Sequence, residues 1–136
     1  MTESRNLILL IEDEHALREP MRDKLTLGGF LVLEAKNGEE GLAMALREHP
    51  DLILLDILMP VMDGMTMLAK LREDAWGKDA HVLMMTNLSD NEHVGKAMAN
   101  GAFEYFVKSD WPIAELVKLV GDKLKKKENQ PPIPKA

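Results

Sequence analysis

Residues capable of chemistry stand at the ends of short apolar runs. The acidic triplet Glu12-Asp13-Glu14 follows Leu7–Ile11, Asp56 closes Leu52–Leu55, Thr86 follows Val82–Met85, and Lys108 follows Tyr105–Val107. A carboxylate emerging from the end of a buried strand is held rigidly and partly shielded from water, which suits a nucleophile or a metal ligand. Carboxylates brought close together repel one another, so such a group either retains protons or holds a cation. Oxygen-only ligands, partly on loops and with space for water, favour Mg²⁺ over zinc or copper. Beside such a cation, the Lys108 ammonium and the Thr86 hydroxyl would make a pocket suited to a phosphoryl group. Asp56 would attack phosphorus in line, Lys108 would neutralise one equatorial oxygen and Thr86 would hydrogen-bond another. The product is an aspartyl phosphate.

The elements that must position these residues are legible as periodicity. The apolar runs Leu7–Ile11, Phe30–Ala35, Leu52–Leu55, Val82–Met85 and Tyr105–Val107 alternate with segments whose apolar residues lie three and four apart. Those stripes are Met21 with Leu25; Leu42 with Ala45 and Leu46; Leu68 with Leu71; Val94 with Ala97 and Met98; and Ile113, Leu116, Val117, Val120 and Leu124. Five strands alternating with five helices predict an α/β domain. Unbroken hydrophobicity in the first and third runs predicts a parallel sheet covered on both faces. Gly28-Gly29 ends the first helix, Asn37-Gly38 opens the second, and His49-Pro50 stops it. Asn100-Gly101 offers a left-handed cap after the fourth, and Asp110 caps the fifth with Pro112 in its first turn. In an open parallel sheet the ligand site lies beyond the carboxyl ends of the strands, which is where the reactive residues fall.

Composition narrows the function classes. The chain has 136 residues, 46% of them hydrophobic, which suits one compact domain. It has no cysteine, which excludes disulfides, thiol catalysis and cysteine-ligated zinc. Met1 to Asn6 lack the apolar stretch of a signal peptide, and no run approaches the roughly 20 apolar residues of a membrane span, so a cytoplasmic location without membrane insertion is expected. A net charge of −6 argues against direct nucleic-acid binding. The folded domain is expected over 1–127, and the Pro-rich stretch 128–136 reads as a disordered tail.

Together, Glu12-Asp13, Asp56 with Met59-Pro60 and Asp63-Gly64 behind it, Thr86, Gly101-Ala102, Tyr105 and Lys108 closely resemble the receiver domain of two-component response regulators, from Leu7 to Leu124. The resemblance implies a flavodoxin-like (βα)5 fold, a single doubly wound five-stranded parallel sheet of order 2-1-3-4-5. That order comes from the known chemotaxis receivers and not from periodicity. It also implies that Asp13, Asp56 and the backbone carbonyl of Leu58 ligate Mg²⁺, with Mn²⁺ as a substitute, and that Glu12 acts through water. The phosphoryl donor implied is a phosphohistidine on a sensor histidine kinase or a His phosphotransfer protein. Thr86 and Tyr105 are implied as switch residues, which alter the face of the fourth helix, fifth strand and fifth helix toward a downstream protein target. The chain would be a monomer or a phosphorylation-dependent dimer. It would catalyse its own phosphotransfer and dephosphorylation without being a metabolic enzyme.

Ser109 stands where family members have proline, and Asn87 stands where a small residue is common. Leu58 and Leu88 flank the expected phosphoryl site with apolar side chains that fail to orient water, so a long-lived phosphorylated form is expected. Three alternative readings stand beside this one. An aspartyl-phosphate phosphohydrolase would want an acidic group at Leu58, and a phosphorylation-independent interaction module on the same fold would leave the site residues unused. A nucleotide or flavin binder would need a phosphate loop where Glu12-Asp13-Glu14 repels phosphate.

Overall fold

Leu7–Ile11 and Leu52–Asp56 are apolar at nearly every position, and each forms a strand buried on both faces. The computed structural model describes residues 6–57, 59, 61–86, 104–107 and 113–129, with the backbone alone at 86, 104–107, 113–114 and 126–129. The elements are β1 (Leu7–Ile11), α1 (His15–Leu27), β2 (Leu31–Ala35), α2 (Gly38–Glu48), β3 (Leu52–Asp56), α3 (Gly64–Arg72), a short 3-10 turn (Gly77–Asp79), β4 (Val82–Thr86), β5 (Glu104–Val107) and α4 (Ile113–Asn129). The strands form one parallel sheet of order β2-β1-β3-β4-β5. The expected helical stripe Val94-Ala97-Met98, the caps at Asn100-Gly101 and Asp110, and the residues Leu58, Pro60, Leu88, Lys108 and Ser109 lie outside the described residues.

Successive side chains of a strand point to opposite faces, so the apolar runs divide into two cores. Leu9, Ile11, Ile53, Leu55, Val82 and Met84 pack with residues of α2 and α3 on one face. Ile8, Leu10, Leu52, Leu54, Leu83 and Met85 pack with residues of α1 and α4 on the other. Each fully buried side chain of this kind contributes about 1.5–3 kcal/mol relative to leaving it in water. The sheet is therefore a fixed platform whose carboxyl edge carries the loops.

Helix ends follow their cap chemistry. The Asn37 side chain accepts from the Glu40 amide at 2.8 Å, opening α2, and His49 closes it in the left-handed conformation at φ 49, just before Pro50. Gly29, at φ 97, turns the chain from α1 into β2. Arg72, at the end of α3, donates to the carbonyls of Gly77 at 2.7 Å and Ala80 at 2.8 Å, fixing the turn that leads into β4. Burial holds its guanidinium below the ordinary arginine value. Trp76 lies against the core and stacks on His49, with centroids 4.3 Å apart and planes 9° from parallel. No helix among the described residues is long and apolar enough to cross a membrane.

Three expected boundaries or faces differ. β2 begins at Leu31 and not at Phe30, which packs partly buried beside the strand. Leu46 is on the exposed side of α2, because Gly38, Gly41 and Ala45 form the face turned to the core. A Cβ at Gly41 would overlap the Ile11 side chain, so α2 approaches the sheet through its small residues, about 100° round the helix from Leu46. α4 continues through Asn129, two residues past Lys127 and into the stretch expected as tail. Neither Glu128 nor Asn129 breaks a helix.

Candidate functional site

β1 and β3 are hydrogen-bonded neighbours whose register sets Ile11 beside Leu55. The next residue on each is acidic, so Glu12 and Asp56 leave the sheet side by side. The Glu12 amide donates to the Ala35 carbonyl at 3.1 Å, and the Ile57 amide donates to Met85 at 3.1 Å, which extends the ladder past both residues before the loops begin. Asp13 follows in the turn, with Glu14 as the N-cap residue of α1. The triplet is thus more than the acidic first turn of a helix: Glu12 and Asp13 precede α1 and face Asp56.

One carboxylate oxygen from each of Glu12, Asp13 and Asp56 lies within 4.8 Å of the others. Glu12 is 0% and Asp56 3% exposed, and Asp13 is half-buried. At an effective dielectric of about 20, two carboxylates at such a separation repel by about 3 kcal/mol. A divalent cation between them replaces repulsion with attraction. The donor set fits a hard cation: it is all oxygen, anionic and gathered from two strand ends, with neither imidazole nor thiolate to select zinc or copper.

The loop after Asp56 is fastened at both ends by glycines. The Gly64 amide donates to the Ile57 carbonyl at 2.8 Å, and a Cβ at Gly64 would overlap the Asp56 carbonyl oxygen. The Gly38 amide donates to Met62 at 2.9 Å, and a Cβ there would overlap that carbonyl. Asp63 caps α3 by accepting from the Thr66 amide at 2.8 Å. These contacts explain the Asp63-Gly64 pair, for which the sequence suggested company with Asp56 and no role. Met59 and Met62 pack partly buried against the core beside this loop.

The other expected site residues are placed by their backbone or lie beyond description. Thr86 ends β4 and pairs with Val107, one step past the level at which Asp56 pairs with Met85. Tyr105 is in β5, opposite Met84. Lys108 immediately follows β5 and, like Leu58, lies outside the described residues.

Sequence reasoning missed Arg18. Its Nη1 donates to the Glu12 carbonyl at 2.7 Å, and its Nε donates to the Glu34 carboxylate at 3.2 Å. Arg22 reaches the other Glu34 oxygen at 3.3 Å. The hydrogen bonds that Arg22 donates to the Asp23 and Glu34 carboxylates raise its pKa above the ordinary arginine value. The available signal was an i, i+4 arginine pair on a helix followed by a glutamate in an otherwise apolar edge strand.

Comparison with known proteins agrees with this geometry. The family described as response regulator receiver domain matches residues 8–120. The DNA-binding dual master transcriptional regulator RpaA of Synechocystis sp. is 36% identical over 101 residues, covering 74% of this chain and 42% of that protein. The crystal structure of a CheY-like receiver domain protein from Methanospirillum hungatei superposes with a TM-score of 0.84 at 27% identity, covering 92% of this chain and 98% of that one. Chemotaxis protein CheY4 of Vibrio cholerae gives 0.80 at 28% identity, covering 88% and 98%. The chain spans 28 to 51% of the length of the curated relatives it matches.

Proposed function

The chain belongs to the response regulator receiver domain family, and from that premise we propose that it takes a phosphoryl group onto Asp56 in a Mg²⁺-dependent reaction. The observation that carries this reading is the convergence of Glu12, Asp13 and Asp56 within 4.8 Å at the carboxyl edge of the sheet. The donor is a phosphohistidine on a sensor histidine kinase or a His phosphotransfer protein. An Asp56 oxygen forms the new bond to phosphorus as the P–N bond breaks, and the departing imidazole nitrogen keeps the electron pair.

Asp13, Asp56 and the Leu58 carbonyl would hold the cation, with Glu12 acting through water, and Mn²⁺ would substitute for Mg²⁺. Bound there, the ion supplies charge neutralisation at a phosphoryl oxygen. Lys108 neutralises a second oxygen, and the Thr86 hydroxyl donates to a third. Burial of Asp56 on a rigid strand end holds its carboxylate in one orientation, which lowers the entropic part of the barrier. With so little covalent chemistry required, positioning and electrostatics suffice. The catalysis is confined to the chain's own phosphorylation and dephosphorylation.

Thr86, drawn to the phosphoryl group, vacates space into which Tyr105 turns, and the face including β5 and α4 shifts its affinity for a downstream protein target. The setting is the cytoplasm, without direct nucleic-acid contact, as a monomer or a phosphorylation-dependent dimer. Intact-mass measurement after incubation with acetyl phosphate tests the reading. A single phosphoryl adduct is expected with Mg²⁺, absent in Asp56→Asn and in EDTA. An adduct that survives the substitution overturns the assignment.

A further inference from the structure

We propose that Arg18 is a positioning residue for the acidic site, clamping the peptide that joins Glu12 to Asp13 so that their carboxylates converge on Asp56. The inference rests on reading that cluster as a Mg²⁺ site. Arg18 lies on α1 and its side chain is 14% exposed. It folds back over the start of its own helix to donate to the Glu12 carbonyl at 2.7 Å, the short range of a charge-assisted bond.

A peptide unit is planar, so the orientation of the Glu12 carbonyl also fixes the amide of Asp13 and the direction in which Asp13 leaves it. The Glu12 residue is then held from both sides. Its amide donates to Ala35 of β2 at 3.1 Å, and its carbonyl accepts from Arg18. Glu34, also in β2, orients the guanidinium by accepting from Nε at 3.2 Å, and Arg22 steadies Glu34 from the other side at 3.3 Å. The Glu14 amide also donates to the Glu12 side chain at 3.2 Å, a bond that ties up one of the carboxylate oxygens of the cluster. The Arg18 contact therefore organises the turn without occupying a ligand atom.

Charge and geometry predict opposite signs on removing this side chain. A guanidinium close to a cation site repels the cation, so deleting it would tighten Mg²⁺ binding if charge were its only contribution. If Arg18 acts by holding the peptide, deletion weakens binding despite the lost repulsion. Partners that orient ligands rather than ligate commonly change metal affinity by 10- to 100-fold, by general experience of such sites.

The test is calorimetric titration of Mg²⁺ into wild type, Arg18→Ala and Arg18→Lys well below their melting temperatures. Arg18→Ala is expected to bind Mg²⁺ roughly tenfold more weakly. Arg18→Lys, which keeps the charge but loses the fork that spans Glu12 and Glu34, is expected to show a smaller loss. Arg18→Ala binding as tightly as wild type, or more tightly, overturns the proposal, as does a lowered melting temperature with unchanged affinity. Should Arg18→Ala fail to fold, Arg18→Lys decides: weaker binding supports the clamp and wild-type binding overturns it. Wild type that binds no Mg²⁺ removes the metal reading itself, and that failure is visible before any variant is compared.

Discussion

Val61 sits in the loop behind Asp56 at φ 69, with 76% of its surface exposed. Left-handed backbone costs an L-residue about 1–2 kcal/mol, and a β-branched side chain is least suited to it. The glycine-anchored contacts at Gly38 and Gly64 fix the chain on either side, so the strain is retained beside the proposed phosphoacceptor. Val61→Asn is expected to raise the unfolding free energy by about 1 kcal/mol in a urea titration, because asparagine tolerates this conformation better. An unchanged midpoint would show that the loop carries no strain at Val61. At this scale the acidic residues were legible because acids directly follow two separate apolar runs, which in a parallel sheet sets them at its carboxyl edge. Arg18 and Gly64 were not, because their roles depend on backbone oxygens that no side-chain pattern announces. Val61 is visible as a strained position only once its φ is known.

Strand boundaries were legible to within one residue, since continuous apolar runs end at turn-forming or charged residues. Faces of helices were less so. Leu46 fits an i, i+4 stripe with Leu42, yet periodicity gives glycine no weight, and Gly38, Gly41 and Ala45 are what allow α2 to lie close to Ile11. Cap chemistry belongs to this scale as well. Asp63 opens α3 through its bond to the Thr66 amide, and that helix starts directly beneath Asp56. Asp63→Ala is expected to cost about 1 kcal/mol of stability, read from thermal or urea unfolding. A variant as stable as wild type would mean that water replaces the cap without loss.

At the scale of the molecule, two cores among the described residues clamp one sheet, and the functional edge is where the connections from β1 and β3 depart to opposite faces. From β1 the chain crosses through α1, on the face shared with α4; from β3 it crosses through α3, on the face shared with α2. That divergence opens a crevice between adjacent strand ends, and it is there that Glu12, Asp13 and Asp56 meet. Periodicity predicted a covered parallel sheet but carried no information on strand order, because neighbours in the sheet are chosen by long-range packing. The order 2-1-3-4-5 came with the family resemblance, and the register in the structure bears it out.

The most direct test of the central claim is borohydride reduction of the protein after exposure to acetyl phosphate, followed by peptide mapping. An acyl phosphate is reduced to an alcohol, so an aspartate that carried phosphorus is recorded as homoserine, and a glutamate as its own longer amino alcohol. Conversion at Asp56, dependent on Mg²⁺, is the predicted result. Conversion at Asp13 or at any other carboxylate, or at Asp56 with all divalent metal chelated, would contradict the account.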